Sequence, residues 1–151
     1  MRARSIVVAS LAAACTLAGC GGSDADDRAN TYVTAVNAAQ TRFSTSITRI
    51  GADTSGSAVT VATVKRWTGA VDRMERELRA IDAPPRVDRL HTRLVGEVSD
   101  FRGSLSRAQR ALRSGDHAAI VAERARLVAS ARRATREIET TLQGIDSTLR
   151  S

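Results

Sequence analysis

The sequence predicts an all-α protein, an up-down-up-down antiparallel four-helix bundle that follows a cleaved signal peptide and a short flexible tether. Three observations carry this. The chain is rich in Ala, Arg, Leu and Glu and poor in strand formers, with aromatic residues at 3%. Apolar residues recur at helical spacing through four long stretches. Short segments rich in Gly, Pro, Ser and Asp separate those stretches, and short loops make consecutive helices antiparallel. At 151 residues there is room for one domain with a real core. The pattern also allows a three-helix core with the first helix attached loosely or used for dimerisation.

The N-terminus comes first. Arg2 and Arg4 form a short positive region, and Ile6 to Leu17 is an apolar run interrupted only by Ser10 and Thr16. Such a run suits the apolar centre of a signal peptide and is too short for the roughly 20 residues of a membrane span. It closes on Leu17-Ala18-Gly19-Cys20, an aliphatic residue and two small residues before a cysteine. This resembles the lipobox of bacterial lipoproteins. The resemblance covers residues 1–20 and implies cleavage before Cys20 and attachment of a diacylglyceryl group to its sulfur. It further implies a chain lipid-anchored in the cell membrane and facing away from the cytoplasm. Gly21 follows, where in bacteria with two membranes an Asp commonly marks retention in the inner one. Two or more acyl chains anchor stably where one holds only marginally.

The expected division is therefore a signal peptide over 1–19, the lipidated cysteine and a flexible acidic tether over 20–27, and the bundle over 28–151. Gly21-Gly22-Ser23-Asp24-Ala25-Asp26-Asp27 reads as the tether, and its aspartates also suit the positive end of a following helix dipole. The only cysteines are Cys15 and Cys20. The first leaves with the signal, so the bundle has no internal disulfide and must hold by packing.

The first helix is expected at about 26–50, with Tyr32, Val36, Ala39, Phe43, Ile47 and Ile50 on one face. Gly51 is its expected C-cap, and Ser57 the N-cap of the next. The second helix, about 58–81, carries the most regular heptad stripe, through Val64, Trp67, Val71, Met74, Leu78 and Ile81. Pro84-Pro85 then breaks the chain, since proline disfavours helix in the residue before it and suits the first turn of a new one. The third helix is expected at about 85–113 with Val87, Leu90, Leu94, Val98, Phe101, Leu105, Ala108 and Leu112 inward. Gly115 suits a left-handed cap and Asp116 an N-cap. The fourth helix, about 116–149, is expected to bury Val121, Ala125, Val128, Ala131, Ala134 or Thr135, Ile138, Leu142, Ile145 and Leu149. Its Ala-rich middle permits close approach of a neighbour, and Gly144 is its weak point.

Candidate chemistry is sparse. His91 and His117 lack the Glu-x-x-His partners of a bundle metal site, so they read as surface or flanking residues and no metal ligands are assigned. Without a thiol beyond Cys20, a Gly-rich elbow, a phosphate loop or a dinucleotide fingerprint, no catalytic residue or cofactor is expected. Glu75 and Glu77, two apart on a helix, point to different sides.

The formal charge is +7, or +5 once Arg2 and Arg4 are removed. Lys65 is the single lysine, a bias typical of GC-rich genomes, and no nucleic-acid partner is expected. The arginines gather as Arg86, Arg89 and Arg93, as Arg107, Arg110 and Arg113, and as Arg132, Arg133 and Arg136. The first and third groups are the candidate face for an anionic partner. The alternative is a solvated surface with pairs such as Asp72–Arg76, Glu75–Arg79 and Arg93–Glu97. The expectation is a non-enzymatic lipoprotein whose bundle binds a protein partner, envelope component or anionic polymer. The alternative is a carrier or sensor of a small apolar ligand or lipid held inside the bundle.

Overall fold

The computed structural model describes residues 24–53 and 59–151. Among them are four α-helices and no strand: α1 Asp24–Asp53, α2 Val61–Arg79, α3 Asp88–Ser114 and α4 His117–Arg150. The all-α bundle expected from the periodicity is the fold. The expected signal peptide and lipobox, and Ser57, lie outside the described residues.

Local chemistry moves the helix boundaries. Asp24, Asp26 and Asp27 lie in the first turn of α1, so the acidic tether expected over 20–27 is helical from Asp24 onward. Three carboxylates at the positive end of the dipole favour that extension. At its other end α1 runs through Gly51 to Asp53 rather than capping at the glycine. α2 starts at Val61 because Thr60 is the cap. Thr60 is extended (φ −105°, ψ 168°) and its hydroxyl accepts from the Thr63 N–H at 3.2 Å. The β-branched Val59 and Thr60 thus stay outside the helix. α2 ends two residues early, at Arg79, and α3 begins only at Asp88. Pro84 and Pro85 occupy the connection, where the Val87 N–H donates to the Pro84 carbonyl at 2.9 Å. Val87 is fully buried and pins this turn to the core. The α3–α4 turn is as expected. Gly115 sits at φ +71°, a conformation that costs a side chain. The Asp116 carboxylate accepts from Ala118 and Ala119 N–H.

Side-chain pairs fix the directions. Arg42 meets Glu77 and Asp53 meets Arg66 between α1 and α2. His91 meets the Leu78 carbonyl and Arg102 meets Glu75 between α2 and α3. Glu97 bonds Thr141 and Ser104 bonds Ser130 between α3 and α4. In each set the rising numbers on one helix meet falling numbers on the next, so consecutive helices run antiparallel. One end of the bundle holds the start of α1, the Pro84–Pro85 turn and the end of α4. The other holds the Gly115 turn.

Packing is sequential. α1 lies on α2, α2 on α3 and α3 on α4, the last pair being the most extensive, whereas α1 and α4 form no comparable seam. The core runs through Val36, Val64, Val71, Leu78, Leu94 and Leu105, with Trp67, Phe43 and Phe101 packed against its edge. The first half of α4 departs from expectation. Val121 and Val128 are 56% and 48% exposed, and Ala125 is exposed too. The inward positions there are Glu123 and, further along, Ala134, Thr141 and Ile145. Apolar residues occupy both sides of this half of the helix, and among the described residues only its α3-facing side packs on a neighbouring helix.

Leu105→Ala and Leu78→Ala each remove a fully buried side chain and should cost about 2–5 kcal/mol in denaturant unfolding. Val121→Ala should change it by less than about 0.5 kcal/mol. A Cβ added at Gly144 would meet Leu90 at 3.6 Å, ordinary van der Waals contact. Gly144→Ala should therefore stabilise the protein by about 0.5–1 kcal/mol.

Candidate functional site

Cys20 and Leu17, Ala18 and Gly19 precede the described residues. The described domain begins four residues after Cys20. Within it, the features capable of function are a buried polar knot, a polar seam, a small cleft and an uneven distribution of charge.

The knot is built on His91, which is 7% exposed. The expectation of a surface or flanking histidine is thereby corrected. His91 lies one residue from the inward Leu90, and the ring turns toward the end of α2. There Nε2 lies 3.0 Å from the Leu78 carbonyl. A carbonyl only accepts, so Nε2 carries the proton. Nδ1 then accepts from the Tyr32 hydroxyl at 3.2 Å. The two rings meet edge to face, 5.6 Å apart at 73°. Tyr32 is 1% exposed. One side chain thus joins α1, α2 and α3. Burial pushes the Tyr32 hydroxyl up from 10.0 to about 12. His117, by contrast, is exposed at the start of α4.

The seam runs between α3 and α4. Glu97 Oε1 accepts from Thr141 at 2.8 Å and from Arg93 Nε at 3.1 Å. Ser130 donates to Ser104 at 2.7 Å, and Ser104 also accepts from Arg107 at 2.8 Å. Glu123 accepts from Arg126 and lies 3.8 Å from Arg107. One oxygen of each buried glutamate, Glu97 Oε2 and Glu123 Oε1, has no hydrogen-bond partner. Removing Thr141 or Ser130 leaves a further buried acceptor short of a donor, so this ladder fixes the register of the pair.

Between α1 and α4, near the Pro84–Pro85 end, Val33, Val36, Leu142 and Ile145 line a cleft with Asn37 and Asp146 at its edge. Its volume of about 20 Å³ suits a single water, far below the few hundred Å³ of a small-molecule pocket. No group of three or more His, Cys, Asp or Glu that could hold a metal occurs among the described residues. No described helix is long and apolar enough to cross a membrane.

The arginines expected to form one face do not come together. Arg86 precedes α3, in the turn, and donates to the Leu149 carbonyl at 3.3 Å. Arg93 pairs with Glu97, and Arg89 is exposed. Arg132, Arg133 and Arg136 are exposed on α4, level with the middle of α3. At 1.5 Å per residue that is about 20 Å along the axis from Arg89. Of the expected pairs, Glu75–Arg79 and Arg93–Glu97 form, while Asp72 lies toward Arg102 instead. Glu75 and Glu77 do point to different helices, toward Arg102 of α3 and Arg42 of α1.

Charge instead divides along the axis. The half toward the Gly115 turn (49–53, 59–70 and 101–133) carries eleven basic and three acidic residues, a net +8. The half toward the Pro84–Pro85 turn (24–48, 71–100 and 134–151) carries ten and thirteen, a net −3. All three acids of the basic half are engaged: Asp53 by Arg66, Asp116 as a cap, Glu123 by Arg107 and Arg126. Arg49, Lys65, Arg110, Arg113, Arg124, Arg132 and Arg133 have no carboxylate within salt-bridge distance among the described residues. The division was present in the sequence, but only the antiparallel pairing shows which charges share an end.

Tyr32→Phe should cost about 1–3 kcal/mol, because Nδ1 of His91 loses its donor while staying buried. The alkaline limb tests the same contact. Between pH 10 and about 12 the unfolded chain releases the tyrosine proton and the folded chain keeps it. Stability is then full below pH 10 and falls as pH rises toward 12. Tyr32 is the only tyrosine, so tyrosinate absorbance reports it alone; a midpoint at the ordinary tyrosine value in the folded protein would contradict the burial.

No protein-family model matches the chain, and neither a curated protein nor a solved structure matches it.

Proposed function

We propose that this chain is a membrane-anchored extracytoplasmic lipoprotein whose helical bundle is a non-enzymatic binding module. The observation that carries the reading is Leu17-Ala18-Gly19-Cys20 at the end of the Ile6–Leu17 apolar run. The sulfur of Cys20 takes the lipid, Leu17, Ala18 and Gly19 supply the small, apolar approach to the cut, and the apolar run directs export. The bundle supplies binding surface, with its polar groups spent on holding the helices in register.

On this reading only Gly21, Gly22 and Ser23 separate the anchor from α1. Three residues span at most about 10 Å. The acidic half of the bundle therefore lies against the bilayer. The Gly115 turn stands farther out, by up to roughly the 40 Å length of α3, and presents the basic half to whatever faces the membrane. Screening confines the surface potential of the bilayer to about 8–10 Å, so the basic half is free to meet an anionic partner.

Expression in a bacterium with labelled palmitate tests the anchor. The native chain should take up label and fractionate with membranes. Cys20→Ala should take up none and leave the membrane fraction. A Cys20→Ala protein that stays membrane-bound, or a native chain that takes up no label, overturns the reading.

A further inference from the structure

The outer face of α4 near the Gly115 turn is apolar where it should be polar. Val121, Ala125 and Val128 follow one another at i, i+4 and i+7 and are all exposed. They lie opposite the side that meets α3, which is marked by Glu123, Ser130 and Ala134. The same outer row continues into Arg132, and Arg124 and Arg133 flank it. All three are exposed and lack a carboxylate partner among the described residues. α1 does not cover this face, because its packing is on α2.

We propose that this face of α4 is the docking site for an amphipathic, acidic helix of a partner protein. Its apolar side would lie on Val121, Ala125 and Val128. Its glutamates or aspartates would meet Arg124, Arg132 and Arg133. This deepens the reading of the bundle as a binding module and does not depend on the anchor.

Three features select this occupant. The apolar positions follow helical spacing over two turns, which matches the anchors of helix-in-groove recognition. The alanines between the valines let a second backbone approach closely. The surrounding half of the bundle has a net charge of +8, which steers an acidic partner in and rejects a basic one. A second copy docked through the same face fits poorly, because Arg124 and Arg132 of one copy would oppose those of the other. A linear anionic polymer would use the arginines and leave the valines idle. A bilayer surface gains little from two half-exposed valines, since membrane-lying helices bring larger apolar side chains.

The test uses the full chain carrying Cys20→Ala. The probes are a synthetic acidic helix of about three heptads with Leu at a and d and Glu at e and g, and a scrambled peptide of the same composition. A charge-inverted peptide with Lys for Glu, polyphosphate, and vesicles of phosphatidylglycerol complete the set. Binding is read by fluorescence anisotropy and mapped by amide chemical shifts. The acidic helix should bind at least tenfold more tightly than the scrambled peptide, weaken with added salt, and shift amides of residues 118–133. Val121→Ser with Val128→Ser should weaken it about tenfold, and so, independently, should Arg124→Glu with Arg132→Glu. Both pairs are at the surface and should leave the melting temperature unchanged. The proposal fails if the acidic helix does not bind, or if the scrambled peptide binds equally. It also fails if polyphosphate or the vesicles bind as tightly and ignore the valine substitutions, which would assign the face to a polyanion or a lipid surface. Each outcome is read without lipidation, so it leaves the Cys20 test separate.

Discussion

The arrangement depends on where His91 places its two ring nitrogens. One nitrogen donates to the Leu78 carbonyl, which also accepts from the Ile81 N–H at the end of α2, and the other receives the hydroxyl of α1. The last turn of a helix lacks the donors of a continuing turn; here the Ile81 N–H closes a tighter bond to the Leu78 carbonyl, and the imidazole adds a second donor from the next helix. Having one nitrogen committed as donor fixes the other as acceptor, and this is what seats Tyr32. A leucine at position 91 could fill the space but would tie neither end.

Against that knot, the α3–α4 seam works by a different principle. It is lined with Glu, Ser, Thr and Arg where a simple bundle would have aliphatic residues. Such groups add little net stability when compared with good apolar packing. Their value is that a shift of one turn would leave several buried oxygens without donors. The seam is therefore selective about register, and the aliphatic core under α2 and α3 supplies the bulk of the hydrophobic free energy.

Much of this was legible in the sequence. The stripe from Val64 to Leu78 marks α2 because every third or fourth residue is apolar and few others are. Gly115 and Asp116 mark the last turn through backbone chemistry that needs no tertiary partner. The first half of α4 misled for the opposite reason. Ala and Val occur around most of its circumference, so periodicity finds a stripe but cannot say that Glu123 and Ser130 face the neighbour. Position 91 misled because a histidine beside an inward leucine looks peripheral until the Leu78 carbonyl and the Tyr32 hydroxyl are seen to converge on it. The proposed lipobox rests on Leu17-Ala18-Gly19-Cys20 alone and is read without any fold.

Sequential packing gives the molecule a mechanical character. A pull applied at the N-terminus and resisted on α4 passes from α1 to α2, from α2 to α3 and from α3 to α4, so the three interfaces bear the load in series. The narrowest link is the contact of α1 with α2, with the Tyr32–His91 bond as a hydrogen-bonded shortcut to α3. α1 should therefore be the first helix to peel under tension, and the polar register of α3 and α4 the last to yield. Under the proposed anchoring, a short leash on such a stack would make the first helix a strain-relief element between the membrane and the face proposed to hold a partner.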